Sequence, residues 1–568
     1  MKIGIKDIEL YAGALPGKPP LNFEFAPGSI TIFVGPNNSG KSVALKEIEQ
    51  ICSGESRANF VVKEINFNFP NTYEEVEALV KNFEIPAPDN NKTLAGHFWV
   101  GQHVFGEKDS HRHFQIQEQE LRSTFRDKNL ERLKQLAFRF YVLRLDGRSR
   151  FSLIDSRASG NLQEYPRNHL TALFVDDAKR EKVRALTEKA FNLHFIIDPT
   201  DLGKFHIRMS QRKPMDAREE RGLDTNSCTF HKEATLLSEL GDGVKTFVGL
   251  TSAIMSLQHE IILIDEPEAF LHPPLARRLG NDLAKTVEER KAILVTSTHS
   301  SSFLMGCIES TAPVNIVRLT YEQGTATARL VDSAVIKQIF KSALLRSTGI
   351  MQAPFHRAVV VTEADTDRAF YDEINRRLVI ENEGIQDAIF LNAQGLTSIS
   401  QILKPLRMLG ISTAAIVDLD IIKNEGVFIN LLNACNVPNV EHKDLEELRK
   451  YLLGAFEKIS VIADQKPAIK RGGITKLPEP DQTKLKDFIE RIATYGLFLV
   501  PLGEVESWLH NSESPIKSHG PKWLIKIFNL IGDSDGDKNY LKPQNDDVWF
   551  FIREIAKWIN NPNRKGIL

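Results

Sequence analysis

Short unbroken apolar runs, each followed by residues at helical spacing, recur along the chain and predict an α/β fold. "SITIFV" (29–34) leads through a glycine loop into "VALKEIEQI", and "EIILIDEP" and "KAILVTSTHS" read as two further buried strands. A second set begins beyond residue 354 with "RAVVVTEADTDRAFYDEINRRL", then "AIFLNAQG", "TAAIVDLDI" and "YGLFLVPLGEVESWL". Strands alternating with helices imply parallel sheets. "IKDIELY" and "LNFEF" near the start alternate instead, as half-buried strands do.

The pattern divides the chain into two regions, about 1–350 and 354–568, with "QAP" as the punctuation near 354. The first carries an insertion over about 60–230, expected to be helical in part. It includes the basic helical stretch "ELRSTFRDKNLERLKQLAFRFYVLRL", which runs into a strand. A helical segment over about 331–350 closes the first region. "DQKPAIKRGGITKLPEPDQTK", at about 460–490, reads as a surface insertion, and the C-terminal part reads as helical.

Composition narrows the class without choosing a function. With 568 residues, two to four domains are expected. Net charge is -2, so no bulk basic charge marks a nucleic-acid binder and any such contact must be a local patch. Cys52, Cys228, Cys307 and Cys435 have no paired spacing, which fits a reducing cytoplasm and argues against a disulfide framework or a zinc knuckle. No signal-peptide core and no bilayer-length apolar run is present, so the expectation is a cytoplasmic protein without membrane contact.

"GPNNSGKS" (35–42) fits G-x-x-x-x-G-K-[ST] between a strand and a helix. Gly35, Asn38 and Gly40 belong to a loop whose backbone N–H groups wrap phosphates. Lys41 would neutralise the β/γ-phosphates and Ser42 would bind Mg²⁺. A strand ending in Asp265 and Glu266 supplies the companion acids: Asp265 for the metal and Glu266 to polarise the attacking water. The loop and acids alone imply a nucleotide with Mg²⁺, and the resemblances that follow make that nucleotide ATP. "LIDEPEAFLHP" resembles the Walker B segment of ABC-type ATPases of the SMC and RecF group. "LLSELGDGVKTFVGL", with Ser238, resembles that group's signature segment, which caps ATP held by a second subunit. "VTSTHSSSFL" resembles its switch segment, making His299 the γ-phosphate sensor. The resemblance implies a homodimer or higher homo-oligomer formed through this region.

The second region carries different chemistry. Glu363 ends one apolar strand with Asp367 four residues on, Asp418 and Asp420 end another, and Glu504 and Glu506 end a third. Gathered at one sheet edge, these carboxylates would bind Mg²⁺, Mn²⁺ or Ca²⁺. The trio resembles the Toprim domain, with Ala364 standing where many members have glycine. An ABC-type ATPase followed by Toprim resembles the overcoming-lysogenisation-defect (OLD) family of nucleases, and "PLGEVESWL" resembles its G-[DE]-x-E segment.

That resemblance implies a P-loop ATPase domain with a helical insertion, followed by a Rossmann-like parallel-sheet Toprim domain. It also implies an ATP-regulated, divalent-metal-dependent DNA endonuclease acting in antiphage defence, DNA as partner, and a lysine from the C-terminal part (Lys522, Lys526 or Lys538). Members include the nuclease subunit of Gabija systems and retron-associated nucleases, so a helicase-like protein or a retron's DNA and reverse transcriptase are the partners it implies. The alternative is an SMC- or RecF-like DNA-structure-binding ATPase with an inactive Toprim domain. Arginines and lysines between 112 and 150, and Arg208, Arg212 and Lys213, read equally as a phosphate-binding patch, a solvated face or a dimer contact.

Overall fold

The computed structural model describes residues 4–15, 17–55, 57–88, 91–103, 111–163, 166, 168–256, 259–322, 324–331, 349–459, 467–470, 472–509, 518–532, 536 and 539–567. The chain forms two compact units, Met1–Ser333 and Ala334–Leu568. The helical segment expected over about 331–350 lies almost wholly outside the described residues.

The first unit is built on a six-stranded sheet. Its order is Thr325–Val331, Val314–Glu322, Ile30–Val34, Ile293–Ser297, Ile261–Asp265, Val142–Leu145. All neighbours run parallel except the hairpin of Val314–Glu322 with Thr325–Val331. Ile30–Val34 and Ile293–Ser297 are buried at every position, as strands covered on both faces must be. The apolar runs seen in the sequence are therefore the centre of this sheet, and their C-terminal ends open on one edge.

The region 60–230 carries strands as well as helices. Val62–Asn68 pairs antiparallel with Gly4–Gly13, which also pairs with Pro20–Glu24. Glu118–Arg126 and Leu130–Leu136 form the two helices of the basic stretch. The strand they lead into, Val142–Leu145, joins the main sheet beside Ile261–Asp265. One core fuses these parts: Phe33 and Leu45 from the glycine-loop unit pack in the same cluster as Ile65, Val80, Phe138 and Leu263. A second core, with Leu170, Phe195, Met209 and Val248, lies beneath the later half of the insertion.

The second unit holds a four-stranded parallel sheet in the order Ala388–Asn392, Ala358–Thr362, Ser412–Val417, Leu497–Leu499. The Asp365–Ile380, Pro521–Ile531 and Asp547–Asn560 helices bury Phe370, Tyr371, Trp523 and Trp549 with Ile416 and Phe498 in one core. Fully buried Arg377 fastens the C-terminal part, donating to the Ile531 and Leu541 carbonyls, each at 2.9 Å. Such buried guanidinium groups are tolerated because backbone oxygens satisfy them.

The 460–490 stretch is not a surface insertion throughout. Glu479–Ala493 is a helix with Leu485, Phe488 and Ile492 buried. Their i, i+3, i+7 spacing is a core-facing stripe that the surrounding charges disguise in the sequence.

Candidate functional site

Two sites lie at strand C-termini, one in each unit. In the first, Gly35 follows Ile30–Val34 at φ 143°, where a Cβ would stand 2.0 Å from the Leu319 carbonyl oxygen. Only glycine fits that turn. Lys41 opens the next helix and folds back, its Nζ donating to the Gly35 and Pro36 carbonyls at 3.0 and 2.8 Å and to Ser39 Oγ at 3.3 Å. Asn38 holds a left-handed conformation, φ 61°, within the same loop. Ser42 Oγ donates to Asp265 Oδ1 at 3.0 Å, and Ser297 Oγ donates to the same oxygen. His299 Nε2 lies 3.7 Å from Glu266 Oε1. The structure thus brings Lys41, Ser42, Asp265, Glu266 and His299 together from three neighbouring strand ends. Ser238 lies in the short 3-10 turn Leu237–Glu239 before the Asp242–Ser256 helix.

Burial pulls the Lys41 ammonium down to about 8 against the raising effect of Glu266 and Asp265. Burial and then Lys41 also lower His299, with Glu266 and Asp265 opposing. An added phosphate would reverse the balance at Lys41, because an opposite charge favours the ammonium.

Two residues of this site escape sequence reading. Glu268 Oε1 accepts from Thr298 Oγ1 at 2.8 Å and from the His299 backbone N–H at 2.9 Å, fixing the loop that carries the histidine. Arg150 is buried and donates to the Glu266 carbonyl. Other basic residues of the 112–150 stretch are likewise engaged within the chain. Arg132 pairs with Glu120, Arg144 with Glu49 and Asp146, and Arg126 with Asp127, while Arg122 lies 4.6 Å over Tyr73. In the second cluster, Arg208 pairs with Asp198, Arg212 with Glu219, and Lys213 with Glu188. Much of the charge that suggested a phosphate-binding patch is therefore neutralised by neighbouring carboxylates.

In the second unit the strands ending before Glu363, Asp418 and Glu504 are three consecutive neighbours of the sheet. Asp367, in the first turn of Asp365–Ile380, accepts from the Ala364 N–H at 3.1 Å. It caps its own helix and faces the cluster. Burial, Glu363 and Glu506 push its carboxyl up to about 6, against that backbone hydrogen bond. Burial, then Asp367, Glu363, Asp420 and Glu504, hold Asp418 well above the usual carboxylate range. Glu363 is raised by burial and Asp420, with Lys470 opposing. Buried carboxylates packed this close concentrate negative charge that a hard divalent cation would relieve. The oxygen-rich donor set fits such an ion.

Glu504, Glu506 and His519 each offer one ligand atom, all within 4.8 Å of one another. Glu506 Oε1 also receives the Gly520 N–H at 3.2 Å. Beneath the cluster, buried Tyr371 accepts from Trp508 Nε1 at 2.9 Å. Lys470 Nζ stands 2.9 Å from Asp420 Oδ2. His519 and Lys470 were not foreseen, since neither lies at a strand end. Tyr371 could have been found: it follows Asp367 by four residues, on the same helix face. Lys522 and Lys526 are exposed on Pro521–Ile531, and Lys538 lies outside the described residues.

Comparison with known proteins agrees with this two-part reading. Residues 30–305 match the family model described as an AAA domain, putative AbiEii toxin, Type IV TA system. Residues 355–420 match that of the overcoming lysogenization defect protein-like TOPRIM domain. The chain is thus an ATPase domain followed by a Toprim domain. In this order the two match the ATPase–Toprim fusion of the OLD family.

No curated protein matches the sequence. Among solved structures, the SMC head bound to the C-winged helix domain of ScpA is 12% identical over 60% of this chain and 100% of that chain, with a TM-score of 0.34. The SMC head domain from Thermotoga maritima is 15% identical over 58% and 99%, with a TM-score of 0.28. The transporter component cbiO1 from Clostridium perfringens is 12% identical over 60% and 92%, also at 0.28. Among the described residues, no helix is long and apolar enough to cross a membrane.

Proposed function

We propose that this chain is an ATP-regulated, divalent-metal-dependent DNA endonuclease. The observation that carries the reading is the meeting of Glu363, Asp367, Asp418, Asp420, Glu504 and Glu506 at three adjacent strand ends, where burial and neighbouring carboxylates raise Glu363, Asp367 and Asp418. Mg²⁺ or Mn²⁺ held there would activate water and steady the leaving oxygen of a phosphodiester. Glu363, Asp367 and Glu506 are assigned as its nearest ligands or as the group that takes the water's proton. Asp418, Asp420 and Glu504 complete the shell. The Ala364 N–H fixes the Asp367 carboxylate, and the Gly520 N–H fixes that of Glu506, so both oxygens are aimed before substrate arrives.

In the ATPase unit, Lys41 and the loop from Gly35 to Gly40 take the phosphates, Ser42 and Asp265 share the Mg²⁺, Glu266 orients water and His299 senses the γ-phosphate. Ser238, in the segment that resembles the signature, would meet ATP held by a second copy, hence a homodimer or larger homo-oligomer. ATP state would then govern cleavage. The setting supported by the family resemblance is antiphage defence in the cytoplasm, alone or with a helicase-like protein or a retron's DNA and reverse transcriptase.

The test is plasmid cleavage with Mg²⁺ or Mn²⁺ by the full chain, Glu363→Ala and Lys41→Ala. Cleavage lost in Glu363→Ala and altered in its ATP response in Lys41→Ala supports the reading. Equal cleavage by Glu363→Ala and wild type would falsify the nuclease assignment. Plaque counts with and without the expressed gene test the defence role.

A further inference from the structure

The Lys470 ammonium is placed by backbone docking rather than by a flexible surface excursion. The stretch containing it lies against the turn that follows Leu497–Leu499. Gly472 N–H donates to the Leu502 carbonyl at 3.2 Å and Ile474 N–H to the Pro501 carbonyl at 2.9 Å. On its other side the same turn receives the D-x-D loop, where Leu419 N–H donates to the Gly503 carbonyl at 2.9 Å. Ile469, beside the lysine, is only 1% exposed.

The approach is close enough to require glycine. A Cβ on Gly503, at φ 110°, would stand 2.6 Å from both the Ile469 and Lys470 carbonyl oxygens, and one on Gly473 would stand 2.3 Å from the Pro501 carbonyl oxygen. The turn thus carries Lys470 on one side, Asp420 on the other and Glu504 at its end. The resulting Lys470–Asp420 contact of 2.9 Å points a cation into the carboxylate cluster.

We propose that Lys470 is the built-in counter-ion of the Toprim carboxylates, the group that a divalent cation must push off Asp420 in order to bind. This rests on the metal-dependent reading above. Lys470 and the metal compete for one carboxylate, so the lysine lowers metal affinity while it stabilises the metal-free fold. Such a competitor keeps the site closed at low metal concentration and frees an ammonium beside it once metal is bound.

The experiment uses the full-length, nucleotide-free chain as wild type, Lys470→Gln and Lys470→Arg, titrated with Mn²⁺ and followed by the free-ion electron paramagnetic resonance signal. Thermal melts in chelator and in saturating Mn²⁺ accompany it. Lys470→Gln should bind Mn²⁺ about 3- to 5-fold more tightly, since a part-exposed ion pair no longer opposes the metal. It should melt below wild type in chelator and no lower than wild type in Mn²⁺, whereas Lys470→Arg should bind within about 2-fold of wild type. Should Lys470→Gln melt early in both conditions, Lys470→Met takes its place in the same comparison. Equal or weaker Mn²⁺ binding by the neutral variant, beside a wild type that binds, overturns this inference alone. A wild type that binds no Mn²⁺ overturns both this inference and the metal-dependent function.

Discussion

Ser42 Oγ and Asp265 Oδ1 lie 3.0 Å apart although 223 positions separate them in the chain. The contact exists because Ile30–Val34 and Ile261–Asp265 flank Ile293–Ser297 in one parallel sheet, so their ends share one edge. A hydroxyl and a carboxylate brought together there can bind one hard cation between them. Replacing Ser42 by Ala should weaken Mg²⁺-dependent ATP binding by about 10- to 100-fold, the range of a lost charge-assisted contact. Binding of a fluorescent ATP analogue, with and without Mg²⁺, measures it. An equal loss without Mg²⁺ would refute the shared-metal role.

The Lys41 ammonium, lowered by burial to about 8, should regain its proton when phosphate arrives. Near pH 8.5, ATP binding should therefore take up a proton. Calorimetry in buffers of different ionisation enthalpy reads this directly. The uptake should vanish in Lys41→Arg, whose guanidinium stays charged throughout.

Asp367 behaves in the opposite sense. Its carboxyl, raised to about 6 in the metal-free fold, contributes stability below the ordinary value near 3.8, and that contribution is lost as pH rises through 6. Asp367→Asn should therefore gain on wild type in chelator as pH climbs from 5 to 7.5. Wild-type Mn²⁺ affinity should fall below pH 6, where protons compete for the carboxylate. Parallel melting curves at both pH values would contradict the assignment.

Tyr371→Phe leaves the buried Trp508 indole N–H without its acceptor. The expected cost is about 1–3 kcal/mol of stability, read from denaturant unfolding. The change removes no carboxylate, so Mn²⁺ affinity should stay close to that of wild type.

Glu268 holds the His299 backbone and Thr298 together. Glu268→Ala should lower ATP turnover while leaving ATP affinity nearly unchanged, because the histidine loop loses its anchor and the phosphate loop does not. A comparable fall in affinity would instead point to general damage.

Much of the architecture was readable because strand-end motifs are local. An unbroken apolar run fixes a buried parallel strand, and the residue after it must emerge at the sheet edge. That is why Asp265, Glu363 and Asp418 could be located from sequence. What hid was everything reaching the sites from elsewhere. Lys470 arrives on a stretch whose charges resemble solvent-facing loop, and only the glycine-mediated docking on 501–503 brings it in. His519 and Arg150 depend on tertiary packing in the same way. The basic stretch stayed open among its readings for the complementary reason: sequence displays charge but not partners, and Arg132, Arg144 and Arg208 pair with Glu120, Glu49 and Asp198.

The edge strand Val142–Leu145 ties the insertion to the strand that ends in Asp265. Its residues pair in register with Ile261 through Ile264, one step short of Asp265. The Glu118–Arg126 and Leu130–Leu136 helices lead into that strand, and Leu121, Leu133 and Leu136 pack in the same core as Leu263. A slip of this strand by one residue would break the ladder and turn Leu143 and Leu145 to the opposite face, so the register of the insertion and the position of Asp265 are fixed together.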